Sequence, residues 1–435
     1  MNATWIFIIV FVVLLLAKLP VPIAVGVSCI VGLLNADISA QLLITSSVKT
    51  LNSFTLLAVP FFILAGNIMT RGSIAAKLLY IAKAFLGDRK EAIGIATIVA
   101  CAFFAALSGS STATCAALGP LVIPMMKSEG YKTRYAAAIV AAGAMVGPII
   151  PPSIIMCVYG VNTNTSISDL FTAGIIPGLL LSGSFVVALM ITKKMDNNID
   201  FAHVNTEVSF THKLSLKEKL LTLWDGKWAL LMPIIVLGGI YSGIVTPAES
   251  AVIACVYVLI VSCFIEREMR IKDVLESFRV TINTMGGLMI LLGMSTVFGN
   301  VLTMNRVPEM ITEAILGLTH NPILIMLGIN VILLIAGCFM EAAACITIFT
   351  PMLLPLAIEC GQTPLTFGIL MCVNLVIGTI TPPFGLSLYM TSSITKEPVF
   401  GIAKKVIPFI ISSVVVLMLI TYVPQIITFL PTVLG

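Results

Sequence analysis

The stretch AIGIATIVACAFFAALSGSSTATCAALGPLVIPMM, residues 92–126, contains no Asp, Glu, Lys or Arg. A bilayer core takes about 20 apolar residues as helix, and this run is longer, but Ser108-Gly109-Ser110-Ser111-Thr112 interrupts its middle. Arg71, Lys77, Lys83, Arg89 and Lys90 precede it, and Lys127, Lys132 and Arg134 follow it. Cytoplasmic loops of membrane proteins collect Lys and Arg, so two basic flanks put both ends on one face. The stretch reads as a re-entrant helical hairpin with small polar residues at its tip.

The same composition runs outward from it in both directions. Hydrophobic residues make up 59% of the 435 positions and charged residues 10%, where a soluble domain carries about a quarter charged. Further long windows lack charge, among them residues 135–168, 280–305, 342–356 and 406–435. The apolar run Trp5 to Ala17 has no cation ahead of it and Lys18 behind it, the reverse of a secretory signal, so a retained first helix with its N-terminus outside is expected. Nine of the ten cysteines sit in apolar segments, where the thiol acts as a small hydrophobe. The net charge of +4 reflects cytoplasmic loops and calls for no nucleic acid.

These signals predict an all-α polytopic membrane protein in two halves. Residues 1–192 hold helices between 4 and 69, the hairpin 92–126, a broken helix 135–162 and a helix 170–192. A cytoplasmic connecting loop, 193–227, leads to residues 228–435, with helices between 229 and 303, a second hairpin 322–358, a broken helix 365–394 and a final helix 406–424. With both termini periplasmic, 22 of the 24 Lys and Arg residues fall inside, and only Lys49 and Arg306 fall outside. That asymmetry sets the orientation. The second half repeats the first upside down, because its hairpin is followed by Glu359 to Pro364, which carries no cation. Pro120, Pro124, Gly130, Gly147, Pro151, Pro152 and Pro177 recur at one offset of 231 as Pro351, Pro355, Gly361, Gly378, Pro382, Pro383 and Pro408. Gly66-Asn67 and Thr70 recur at 233 as Gly299-Asn300 and Thr303.

Open backbone at membrane depth is tolerated only where protein or a water-filled cavity satisfies it. Four such breaks are expected: the hairpin tips Ser108–Thr112 and Gly337–Ala344, and the helix breaks Gly147–Ser153 and Gly378–Gly385. In inverted-repeat transporters such breaks meet near the midplane, where carbonyls bind a cation and half-helix N-termini face an anion. Ser108, Ser110, Ser111, Thr112, Ser153, Thr379 and Thr381 add neutral hydroxyl oxygens suited to sodium. Taken singly, such residues are explained by close helix packing or ordinary kinks; four symmetric breaks define a site. Glu341 and Glu249 are the carboxylates in apolar context. Glu341 fits two roles equally, lining an aqueous cavity or capping the following half-helix. Glu249, after Thr246-Pro247, reads as a capping residue.

Ala65-Gly66-Asn67, the Ser108 to Thr114 run, Gly147-Pro148-Ile149-Ile150-Pro151-Pro152-Ser153, the Gly337 to Pro355 hairpin and Thr379-Ile380-Thr381-Pro382-Pro383 carry a family resemblance. Nearly end to end, the chain resembles the large membrane subunit of tripartite ATP-independent periplasmic (TRAP) transporters. The resemblance implies a sodium-coupled importer in the bacterial inner membrane with an elevator mechanism, and a small carboxylate as substrate, a sialic or other sugar acid or a C4-dicarboxylate. It implies two partners, a small (Q-type) integral membrane subunit, expected here as a separate chain, and a periplasmic (P-type) substrate-binding protein, with no organic cofactor. By the same resemblance, one sodium site takes Ser108, Gly109, Ser110, Gly147 and Ser153. A second takes Gly337, Gly378, Thr379, Thr381 and Gly385. The substrate lies between the tips, near Ser110, Ser111, Thr112, Pro151, Pro152, Glu341, Pro382 and Pro383. The family often has Asp-Pro where this chain has Glu341-Ala342.

Other classes lack their residues. His203 and His212 fall in the polar loop and His320 beside an outer hairpin end, so no buried pair is available for haem. The hydroxyl-rich tip has no neighbouring base to activate a serine, which argues against an enzyme. No nucleotide-binding loop is present for ATP-driven pumping. A stand-alone sodium-coupled dicarboxylate carrier remains the alternative among transporters.

Overall fold

A segment that crosses hydrocarbon must satisfy its own amides, and a single chain segment does so only as helix. The computed structural model describes residues 3–17, 19, 21–35, 41–71, 74–86, 91–193, 199, 216–383 and 385–434. Lys18, Arg89, Lys90, His203, His212 and most of the 193–227 connection lie outside the described residues. Among those described there are twenty-one α-helices and no sheet.

The first half runs α1 (Ala3–Leu16), α2 (Val21–Asn35), α3 (Gln41–Leu51), α4 (Ala58–Arg71) and α5 (Ile74–Leu86). The hairpin follows as α6 (Ala92–Ser108) and α7 (Ser111–Ser128), the broken helix as α8 (Thr133–Met145) and α9 (Ile154–Thr163), then α10 (Ile167–Thr192). The second half runs α11 (Leu216–Asp225), α12 (Lys227–Tyr241), α13 (Pro247–Ile260), α14 (Ile271–Met304) and α15 (Val307–Leu318). Its hairpin is α16 (Pro322–Phe339) and α17 (Ala342–Glu359), its broken helix α18 (Pro364–Gly378) and α19 (Leu386–Thr395), and α20 (Val399–Tyr422) and α21 (Gln425–Leu434) end it. Seven described helices are long and apolar enough to cross a membrane, or eight if the bent pair α11 and α12 is one span.

Two departures from the sequence expectation have clear causes. The last of the helices expected between 229 and 303, read from the sequence as 282–303, begins at Ile271, because Asp273 accepts the Arg270 N–H at 3.0 Å and caps a polar first turn. Helices α3, α5, α11, α15 and α21 were not expected: they are 10 to 13 residues long, shorter than a span. One of them, α11, occupies part of the stretch read as a connecting loop.

Glycine closes both hairpins at the same kind of turn. Gly130 takes φ +89° after α7, with Tyr131 N–H donating to Met126 O at 2.9 Å. Gly361, 231 residues on, takes φ +86° after α17, with Gln362 N–H donating to Ala357 O at 3.0 Å. This is the left-handed helix stop that glycine adopts without a Cβ penalty.

Packing interlocks the hairpins and broken helices. Within each half the hairpin's first arm lies on the broken helix, α6 on α8 and α16 on α18. Between halves, α19 lies on α7 and α8, α9 lies on α17, and α10 lies on α20. A Cβ on Gly378 would stand 2.3 Å from Gly337 C, and one on Gly147 would stand 2.2 Å from Ala105 Cβ, so these crossings bring backbones into contact. Outside this body, α13 packs on α4, and α14 packs on α2, α3 and α4. A separate apolar cluster joins α1 and α2 to the second half of α14, where Phe7 meets Phe298 edge-on at 5.7 Å.

Candidate functional site

The first hairpin tip is built by hydroxyls that tie the backbone to itself. Gly109, at φ +62°, ends α6 by donating its N–H to Ala105 O at 2.7 Å. Ser110 then caps α7: its Oγ accepts the Ala113 N–H at 3.3 Å and lies 3.1 Å from Thr112 Oγ1. Thr114 Oγ1 donates to Ser110 O at 2.9 Å and sits 3.1 Å from Ser108 Oγ. Ser111 Oγ is buried and has no hydrogen-bond partner among the described residues.

The two helix breaks hold cis peptides at Pro151–Pro152 and Pro382–Pro383. At the first, Ser153 Oγ donates to Pro148 O while accepting the Met156 N–H at 3.2 Å, so one side chain both bridges the break and caps α9. At the second, Ser387 N–H donates to Thr379 O at 3.0 Å and Gly385 N–H to Thr381 O at 3.1 Å. A Cβ on Gly385 would stand 2.7 Å from Thr379 O and 3.0 Å from Thr381 O, which leaves room for those carbonyls only beside glycine.

A cavity of about 350 Å³ joins these elements. Its walls include the first residues of four helices, Ser111 of α7, Ile154 of α9, Ala342 of α17 and Leu386 of α19. Each helix N-terminus presents roughly half a positive charge. Among the described residues no Lys, Arg or His lines the cavity, and Glu341 is the one ionisable side chain there. Glu341 occupies the N-cap position of α17, with the Ala343 N–H as the backbone group facing its carboxylate. It also lines the cavity, so the geometry is compatible with both roles the sequence offered, lining and capping. Glu249 does cap: its Oε2 accepts the Thr246 N–H at 2.8 Å and Thr246 Oγ1 accepts the Glu249 N–H at 3.3 Å.

Among the residues expected at the site, Ser108, Gly109, Ser110, Ser111, Thr112, Glu341 and Thr379 line the cavity. Pro151, Pro152, Ser153, Thr381, Pro382, Pro383 and Gly385 shape the breaks behind its wall, while Gly147, Gly337 and Gly378 make the helix crossings. The wall also takes residues not foreseen there, among them Ile63 and Asn67 of α4 and Thr284 and Leu288 of α14. Asn67 Nδ2 donates to Thr281 Oγ1 at 2.9 Å, joining these two helices beside the cavity. A Cβ on Gly66 would stand 2.9 Å from Ser108 Cα, so α4 touches the tip directly. The recurrence of Gly66-Asn67 as Gly299-Asn300 was the signal for this wall.

Residues 8–426 match the family described as tripartite ATP-independent periplasmic transporter, DctM component. The chain belongs to this family. It is a TRAP large permease, a multi-span protein of the inner membrane and not an enzyme. It is 41% identical over 422 residues to the isethionate TRAP transporter permease protein DctMQ of Oleidesulfovibrio alaskensis, covering 96% of this chain and 64% of that one. It is 39% identical to the C4-dicarboxylate TRAP transporter large permease protein DctM of Pseudomonas aeruginosa, covering 89% of this chain and 88% of that one. Among solved structures, the fold is similar to the YdaH transporter of Alcanivorax borkumensis, with TM-score 0.64 at 15% identity over 97% of this chain and 98% of that one.

Proposed function

We propose that this TRAP permease moves a small organic acid inward, coupled to sodium, by carrying it in the cavity between the hairpin tips. The convergence of four helix N-termini on a cavity without a cationic side chain carries this reading. An anion there is met by backbone dipoles and hydroxyls, which bind charge without the desolvation cost of a buried Lys or Arg. Sodium is a second cargo, and the oxygens suit it. Hydroxyls and carbonyls cluster at Ser108, Ser110 and Thr114 and again at Thr379 and Thr381. Among the described residues no group of three His, Cys, Asp or Glu offers a transition-metal site. Neutral hard oxygens match a hard cation.

The inverted repeat is part of the same proposal. Matching glycine turns 231 residues apart, and the reciprocal packing of α19 on α7 and of α9 on α17, support it. In the elevator movement we propose, the interlocked body α6 to α10 and α16 to α20 slides against α1 to α4 and α12 to α14, with the N- and C-termini periplasmic. The partners are a small membrane subunit and a periplasmic binding protein that delivers the substrate. Relatives named for isethionate and for C4-dicarboxylates widen the substrate class to small organic acids, sulfonates included, beyond the sugar acids.

The test is uptake into liposomes holding this chain, with and without both partners, under an inward sodium gradient and with a panel of labelled acids. Uptake is expected only with the partners and with sodium. Full uptake by the chain alone would point to a stand-alone carrier, and uptake indifferent to sodium would end the coupling claim. Ser110→Ala and Thr379→Ala are each expected to lower the sodium-dependent rate at least about tenfold, the effect of losing roughly 1.4 kcal/mol, with membrane insertion intact. Unchanged rates and sodium dependence in both would sink the site assignment.

A further inference from the structure

A hydroxyl hydrogen can be given only once, so the bonds already made around the cavity show what each side chain has left for a ligand. At the first hairpin tip, donors are left. A helix start leaves backbone N–H groups without intrahelical partners, and α7, α9, α17 and α19 all begin at the cavity. Ser111 Oγ lines the cavity with no partner among the described residues, so its O–H is free to give. Ser110 and Thr112 share one bond between two hydroxyls at 3.1 Å, which leaves one hydrogen over. These groups suit an acid group, whose ionised oxygens only accept.

On the wall from α4 and α14 the balance is reversed. Thr284 Oγ1 gives its hydrogen to Val280 O at 3.0 Å, so only its lone pairs remain. Thr281 Oγ1 gives its own to Ser277 O at 2.8 Å. Thr281 can therefore only accept from Asn67, and this fixes the Asn67 amide with Nδ2 toward Thr281 at 2.9 Å. Asn67 keeps its second N–H and the lone pairs of Oδ1, which take no hydrogen bond from the described residues.

We propose that the acid carried in this cavity bears a hydroxyl group, which donates to Thr284 and Asn67. The inference rests on the reading of the cavity as the substrate site and narrows its substrate class. A hydroxyl both donates and accepts, so it meets Thr284 as a donor and Asn67 as either. A second carboxylate, which only accepts, would face the Thr284 lone pairs, and among the described residues no Lys, Arg or His lines the cavity to offset it. A methylene in place of the hydroxyl would displace water and leave these lone pairs unpaired. A site built to bond a hydroxyl rejects the analogue lacking it for that reason.

The experiment measures binding to the purified permease with its small subunit, in sodium and without the periplasmic protein, so that the selectivity of that other polypeptide does not enter. The probes are matched acids: malate with succinate, 2-hydroxyethanesulfonate with ethanesulfonate, and lactate with propionate. Each is scored by the concentration that half-saturates the rise in melting temperature. In at least one pair the hydroxy acid is expected to bind about tenfold more tightly, the effect of one hydrogen bond. Thr284→Val, at an exposed side chain, should remove most of that preference and leave binding of the deoxy acid unchanged. Asn67→Ala should act in the same direction. Equal affinity within every pair, or a preference that survives both variants, overturns the hydroxyl assignment and leaves the cavity reading standing. No binding by any acid would remove the cavity reading and this inference with it. An intact preference with a raised sodium requirement in both variants would also overturn it, marking Asn67 and Thr284 as sodium ligands.

Discussion

Gly378 shows how little room the interlocked hairpins and broken helices leave. Its Cα stands against the Gly337 backbone, and a Cβ there would come within 2.3 Å of Gly337 C. Overpacking of this kind costs about 1–3 kcal/mol, and backbone cannot step aside as a flexible side chain can. Gly378→Ala is therefore expected to lower the melting temperature of the purified protein by several degrees. Gly299→Ala, whose Cβ would meet Pro351 at 3.5 Å, is expected to leave it unchanged; a thermal shift series in detergent separates the two. Gly378 was legible in the sequence as a break residue, but its packing partner was not. The pairing with Gly337 across 41 positions depends on how α16 and α18 cross, and local pattern does not encode that angle. Ser108 to Thr112 were legible for a different reason. Hydroxyls and glycine in an uncharged run have few uses apart from a tip or a close contact. Asn67 escaped notice as a wall residue because one amide in an apolar helix looks like any interhelical hydrogen bond, and its bond to Thr281 is one.

Helix α5 ties the first hairpin to its surroundings through ion pairs at both ends. Lys77 pairs with Glu266, six residues past the end of α13, and Lys83 Nζ lies 3.9 Å from Glu129 at the end of α7. Burial pushes the Lys83 ammonium below its usual range, and Glu129 draws it back up. The Lys77 and Glu266 side chains are 26% and 10% exposed, so their pairing lies between a surface pair, worth 0–1 kcal/mol, and a buried one. Lys77→Glu is expected to destabilise by about 2 kcal/mol, and adding Glu266→Lys to recover most of it. Chemical denaturation of the single and double variants measures this, and no recovery in the double variant would show that the pair does not act as one. Helices of this kind were illegible to a search for spans. At 13 residues with lysines at two positions, α5 is too short to cross and too apolar to read as a loop.

In the whole molecule, orientation follows from charge and the proposed inversion follows from orientation. Lys127 and Glu359 lie at the ends of α7 and α17, and both are exposed. In a Cys360→Ser background, Lys127→Cys is expected to react with a membrane-impermeant thiol reagent only from the cytoplasmic side, and Glu359→Cys only from the periplasmic side. Labelling of both from one side would contradict the inverted plan.

Residue chemistry along the chain determined where hydrocarbon-crossing helices lie, where they break and which connecting segments carry the cations. Each of these depends on solvation of a contiguous segment, which composition reports directly. The tertiary structure alone decided that the tips and breaks share one cavity, that α4 and α14 complete its wall, and that α19 and α9 lock the two halves together. Those contacts join residues hundreds of positions apart. They arise from interhelical packing, in which glycine and alanine crossings, and not hydrophobicity, choose the partner, because in a membrane every apolar face is equally content with lipid.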